Sequence, residues 1–132
     1  MKTILVDAVN AFVIEENGSF KIFEEMHRLL EAFPNRKILL TGANDEQFKE
    51  FGLDRMPYEV FTLKHDPEKT DPEYYRLMLK HFGLTKDDVL YFEHNNEAVK
   101  SAESVGIKTF FYDSSKKDLK SLKAFFNSQS LI

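Results

Sequence analysis

Cysteine is absent from the 132 residues. That excludes disulfide scaffolds, thiolate zinc sites, iron–sulfur clusters and cysteine nucleophiles together. No apolar run approaches the ~18 residues a membrane helix needs. Only about four apolar or neutral residues separate Met1-Lys2 from Asp7, too few for a signal peptide. The expectation is a cytoplasmic chain with no membrane contact. An excess of positive charge is also missing, because the formal net charge is -4, too mild and of the wrong sign for nucleic-acid binding. Tryptophan is missing, yet phenylalanine occurs 13 times, mostly at helical or strand spacing. These side chains read as core. Stacking platforms for single strands would need interleaved Lys and Arg, which this chain lacks. Linkers, repeats and low-complexity stretches are not seen.

What remains is 42% hydrophobic and 30% charged residues, the balance of a globular protein. The length fits one domain, residues 1–132, that buries roughly two-thirds of its unfolded surface without staples. Two kinds of segment alternate along it. Residues 3–9, 37–41, 58–63, 89–92 and 107–112 are near-continuous apolar runs and read as buried strands. Residues 20–33 place Phe23, Met26, Leu30 and Phe33 at helical spacing. Asn44 with Gln47 forms a capping-box pattern for a helix to about Phe51. Asp71-Pro72 opens a helix to Phe82, and Asn95 or Asn96 opens one carrying Ala98, Ala102 and Val105. Ser115 is read as the start of a last helix with Leu119, Leu122 and Phe126 inward. Its Lys116, Lys117, Lys120 and Lys123 read as a solvated face.

Gly52, Gly83 and Gly106 each follow a helix and precede an apolar residue, as left-handed caps do. Asn17-Gly18 is a turn dipeptide around which Phe12 to Ile14 and Phe20 to Ile22 can form a hairpin.

This alternation predicts an α/β fold with a parallel sheet covered on both faces. Ligands of such sheets sit beyond the carboxyl ends of the strands. Those ends carry Asp7, Thr41-Gly42, the segment 64–69, Glu93-His94 and Asp113. A carboxylate at Asp7 is a candidate nucleophile or metal ligand, or a turn cap. The Thr41 hydroxyl and following amides can hold a phosphate oxygen, or simply close a turn. Lys69, just before a helix, can neutralise a phosphoryl group. Glu93 is a second carboxylate able to share a cation with Asp7.

In this order the residues resemble the haloacid dehalogenase (HAD) superfamily across nearly the whole chain. Ile4-Leu5-Val6-Asp7 matches its first motif, and Ile38-Leu39-Leu40-Thr41-Gly42 its second. Lys69-Thr70-Asp71-Pro72-Glu73 matches the third at all but one position. Val89 to Glu93, with the run from Glu97 to Ile107, looks like the fourth. The resemblance implies a three-layer Rossmann-like core of five parallel strands, in the order 107–112, 89–92, 3–9, 37–41, 58–63. It also implies a catalytic set of Asp7, Thr41 and Lys69, with Thr41, Gly42 and Lys69 on the substrate's phosphoryl group. Magnesium would be held by Asp7, the carbonyl of Val9 and Glu93. The resemblance thus implies a phosphatase-like hydrolase, acting weakly or on an unidentified phosphorylated small molecule or macromolecule.

Three departures weaken this implication. Val9 stands where phosphatases of the family carry their acid–base Asp, and losing such help costs about 10²–10⁴-fold. Asn10 and Ala11 replace the usual Gly and Thr. His94 replaces a second acid; it is a possible metal ligand or an exposed loop residue, and magnesium prefers oxygen. The implied magnesium binding is therefore weak. The alternative is an inactive HAD-like protein that binds a phosphorylated ligand or a protein partner. Dehalogenase or phosphonate chemistry is a third possibility, disfavoured because neither the dozen or so residues after Asp7 nor the under-30 between Thr41 and Lys69 can hold a cap domain. With no broad apolar stripe, a monomer is expected.

Overall fold

The computed structural model describes residues 1–129 and 131. Five strands build one parallel sheet: β1 (Thr3–Asp7), β4 (Lys37–Thr41), β5 (Glu59–Thr62), β6 (Val89–Glu93) and β7 (Lys108–Phe111). A separate antiparallel hairpin joins β2 (Val13–Glu16) to β3 (Ser19–Ile22). The helices are α1 (Glu24–Glu31), α2 (Asp45–Glu50), α3 (Pro72–Phe82), α4 (Asn96–Ser104) and α5 (Leu119–Ser128). The sheet order is β5-β4-β1-β6-β7, as the resemblance implies.

All residues of β1, β4 and β6 are buried, which is why their sequences are apolar rather than alternating. Successive residues still face opposite layers. Ile4 and Val6 pack with Met26, Leu30, Leu122 and Phe126 from α1 and α5. Leu5 packs on the other side with Tyr74, Tyr75, Met78 and Ala102 from α3 and α4. Three layers result, and β1 lies in the middle of the middle one. No cap domain covers the strand ends: β1 leads to α1 through the β2–β3 hairpin alone, and Thr41 leads to Lys69 through α2, a 3-10 turn and β5. Among the described residues no helix is long and apolar enough to cross a membrane.

Element boundaries depart from the sequence expectation where local interactions compete. β1 stops at Asp7 and not at Val9, because the Ala8 carbonyl accepts from the amides of Ala11, Phe12 and Val13 and turns the chain. The expected helix over 20–33 begins only at Glu24. Residues 19–22 instead pair with 13–16, with Val13 opposite Ile22 and Asn17-Gly18 at the turn. Both turn residues have positive φ, the requirement of the primed hairpin turn. Ser115 does not cap α5. Its amide and hydroxyl bond to the Asp113 carboxylate, and Asp118 accepts from Ser121 N at 3.0 Å as the actual cap. The capping box of Asn44 and Gln47 and the Asp71 cap are as expected. Of the two asparagines considered, Asn95 caps α4.

Candidate functional site

Beyond the carboxyl ends of β1, β4 and β6 the structure opens a cavity of about 220 Å³ lined by Val9, Thr41, Gly42, Lys69, Glu93 and His94, among others. Asp7 does not line the cavity itself but lies buried behind it, bonded to the lining residues Lys69 and His94. Asp7, Val9, Thr41, Gly42, Lys69, Glu93 and His94 are therefore within one site, brought there by β1, β4, β6 and the loop before α3, whereas Asp113 lies outside it.

Asp7 and Glu93 are each only 1% exposed. Lys69 bridges them. Its Nζ donates to Asp7 Oδ1 at 2.9 Å and to the Leu40 carbonyl at 3.2 Å, and stands 2.6 Å from Glu93 Oε1. Two buried carboxylates beside a single ammonium would be costly to hold, since an unpaired buried charge costs several kcal/mol. The second cation comes from His94. Its backbone amide donates to Asp7 Oδ2 at 2.9 Å and its Nδ1 contacts the same oxygen, while Nδ1 also lies 3.3 Å from Glu93 Oε2. Glu93 is held further by the Tyr91 hydroxyl on Oε1 and by the Asn95 amide on Oε2 at 3.0 Å. Every oxygen of both carboxylates thus accepts from, or is paired with, a group of the chain itself.

The electrostatics follow from this packing. Burial first, and the Glu93 charge second, raise the Asp7 carboxyl above its ordinary value, against the pull of Lys69 and His94. Burial also opposes ionisation of Glu93, but Lys69 and the hydrogen bonds from His94, Lys69 and Tyr91 outweigh it and hold Glu93 below the usual range. Lys69 loses solvation, yet the two carboxylates raise it well above its ordinary value. Hydrogen bonds to Asp7 and then Glu93 push His94 up to about 10, so it is a cation at neutral pH.

Thr41 sits at the end of β4 with Gly42 beside it. Its hydroxyl accepts from the Ala43 amide at 3.2 Å, and its carbonyl accepts from the buried Tyr74 hydroxyl at 2.7 Å. The second strand end is thus anchored from below by α3, with the Thr41–Ala43 turn facing the cavity. Across the mouth, His65 Nδ1 pairs with Glu68 at 2.7 Å and its Nε2 contacts Gln47 at 2.5 Å.

Sequence reasoning found the strand-end residues but not the bond between His94 and Asp7, nor the Tyr91 and Tyr74 hydroxyls that support the site. The two tyrosines carried no separate signal, because their rings fit the apolar pattern of β6 and α3.

Asp7, Glu93 and His94 offer ligand atoms within 4.8 Å of one another. The donor set nevertheless does not fit magnesium as it stands. That ion takes oxygen ligands in a nearly octahedral array. Here the carboxylate oxygens are engaged by Lys69 and His94, and an Nδ1 that donates to a carboxylate has no lone pair for a cation. Val9 lines the cavity with an apolar side chain.

No protein-family model matches the chain, and no curated protein matches it. Solved structures do. A HAD family enzyme from Bacteroides thetaiotaomicron, crystallised as an aspartate-to-alanine mutant with magnesium and inorganic phosphate, superposes with a TM-score of 0.70 at 12% identity. The match covers 86% of this chain and 95% of that one, so no large domain of the neighbour is left over. With its five-stranded parallel sheet, the order β5-β4-β1-β6-β7 and no cap, the chain has the core fold of the HAD family.

Proposed function

We propose that the cavity takes a phosphorylated compound and that the chain is a slow hydrolase acting through Asp7. The observation that carries this reading is the Lys69–Asp7 pair at 2.9 Å, whose lysine lines a cavity together with Thr41 and Gly42. A carboxylate approaches a phosphoryl group only where cations offset the repulsion, and transition-state charge needs the same groups. Lys69 supplies one such cation, and the Thr41 hydroxyl and neighbouring amides supply donors. Asp7 is the nucleophile in this reading. Slowness follows from two features. Val9 cannot protonate a leaving oxygen, a loss of about 10²–10⁴-fold. Both Asp7 oxygens also carry hydrogen bonds, which lowers their reactivity. No step is routed through magnesium, because Lys69 and His94 already engage the Asp7 and Glu93 oxygens that would hold it. The open strand ends suit a bulky substrate.

The engagement of both Asp7 oxygens favours a second reading, a non-catalytic protein that binds a phosphorylated ligand or a partner. A screen of phosphoesters with purified protein separates the two. The hydrolase reading expects turnover below about 1 s⁻¹, the low end of enzyme rates, lost in Asp7→Asn and raised in Val9→Asp. Residual turnover that Asp7→Asn leaves unchanged overturns it, and saturable ligand binding without turnover selects the second reading.

A further inference from the structure

We propose that the His94 side chain occupies, from within the chain, the place of a divalent cation between Asp7 and Glu93, so that the cavity takes a phosphoryl-class anion without metal. For the anion this rests on the reading above; for the metal it rests on the site's geometry alone.

The four carboxylate oxygens divide between two side chains. Lys69 Nζ stands against Asp7 Oδ1 and Glu93 Oε1 at 2.9 and 2.6 Å. On the other side His94 Nδ1 stands against Asp7 Oδ2 and Glu93 Oε2. The imidazole therefore bridges the same two carboxylates that a cation would have to bridge, from the side Lys69 leaves open. Its position is set twice, because its own backbone amide also binds Asp7 Oδ2. One quarter of the side chain remains exposed, and the residue lines the cavity. His94 thus lines the cavity directly beside the Asp7 carboxylate.

The ligand chemistry gives the same result. Aspartate at position 94 would add a third carboxylate beside Asp7 and Glu93, the oxygen-rich set that a divalent cation favours. Histidine offers no oxygen there, and its Nδ1 already stands against both carboxylates.

Thermal melting and calorimetry on the whole chain test this, with the wild type, His94→Asp and His94→Asn. Wild type is expected to show no heat with 10 mM magnesium chloride and no change in Tm relative to EDTA. His94→Asp is expected to melt lower in EDTA and to regain several degrees with magnesium, by mass action. If His94→Asp does not fold, His94→Asn, which removes only one charge, is expected to gain from magnesium where wild type does not. Magnesium stabilising wild type as much as either variant overturns the proposal. In parallel, inorganic phosphate is titrated into wild type in EDTA and in magnesium, with equal Kd expected. A Kd tightened tenfold or more by magnesium also overturns it. Phosphate binding in neither buffer overturns the phosphoryl reading instead and leaves the magnesium comparison to decide the place of His94.

Discussion

At the scale of single residues, the site is a square of opposite charges in which each acid touches both bases. The pH dependence of stability follows from His94. Its pKa rises from 6.5 to about 10 on folding. A base raised by folding stabilises fully below its unfolded pKa, and that contribution is lost as pH rises through the folded one. Wild type is therefore expected to lose Tm between about pH 6.5 and pH 10, while His94→Asn loses less over the same window. Melting curves at half-unit steps check this. The raised Asp7 carboxyl acts in a different window, since it shifts upward from an ordinary value of 3.8. How much of this was legible is uneven. Asp7, Thr41, Lys69 and Glu93 stand at strand ends, and strand ends converge in any parallel sheet, so their meeting follows from the alternation of elements. His94 lies one residue into a loop. Loops have no period, and the backbone turn that aims the His94 amide and ring at Asp7 leaves no trace in the spacing of residues.

At the scale of elements, boundaries were readable wherever one signal acted alone. Gly83 ends α3 with φ 66 and accepts the chain reversal that lets Leu84 N reach the Leu79 carbonyl at 2.9 Å. A Cβ at Gly83 would meet nothing within 4 Å, so Gly83→Ala isolates the backbone cost of a left-handed residue. That cost is about 1–2 kcal/mol. Gly106 has φ 95, further from the left-handed minimum, and a Cβ there would lie 2.5 Å from Lys86 Cδ. The Lys86 side chain is half exposed and can swing away, but the backbone cannot. Gly106→Ala is expected to cost more than Gly83→Ala, read from urea unfolding midpoints. Where two signals overlapped, the sequence was ambiguous. Phe20 and Ile22 satisfy both the helical spacing that continues into α1 and the alternation of β3, and the Asn17-Gly18 turn decided for the strand. Ser115 and Asp118 are both good caps, and Asp113 had already engaged the first.

At the scale of the whole molecule, the α/β class follows from the alternation of elements, whereas strand order does not. After β5 the chain crosses back over the sheet to place β6 on the far side of β1, and nothing in the local sequence of β6 encodes that return. The resemblance to a known fold supplied it. The unbroken burial of β1 and β6 agrees with it, because an edge strand such as β7 carries exposed Lys108 and Phe111 while a central one does not. The absent cap was legible from length alone, since too few residues lie between the strand ends to build one.

The position of β1 has a consequence for amide hydrogen exchange. Its residues bond to β4 on one side and β6 on the other, through Leu5 opposite both Ile38 and Tyr91, and all five are buried. Such amides exchange only when the molecule opens globally, whereas the half-exposed β2–β3 hairpin, outside the five-stranded sheet, opens locally at lower free energy. The amides of Leu5 and Val6 are expected to exchange at the rate set by the global unfolding free energy from urea, and those of residues 14–21 orders of magnitude faster. Mass spectrometry or NMR after transfer to deuterium oxide reads both. The strand that carries Asp7 then becomes a built-in gauge of whole-molecule stability, and the β2–β3 hairpin can open and close without disturbing it.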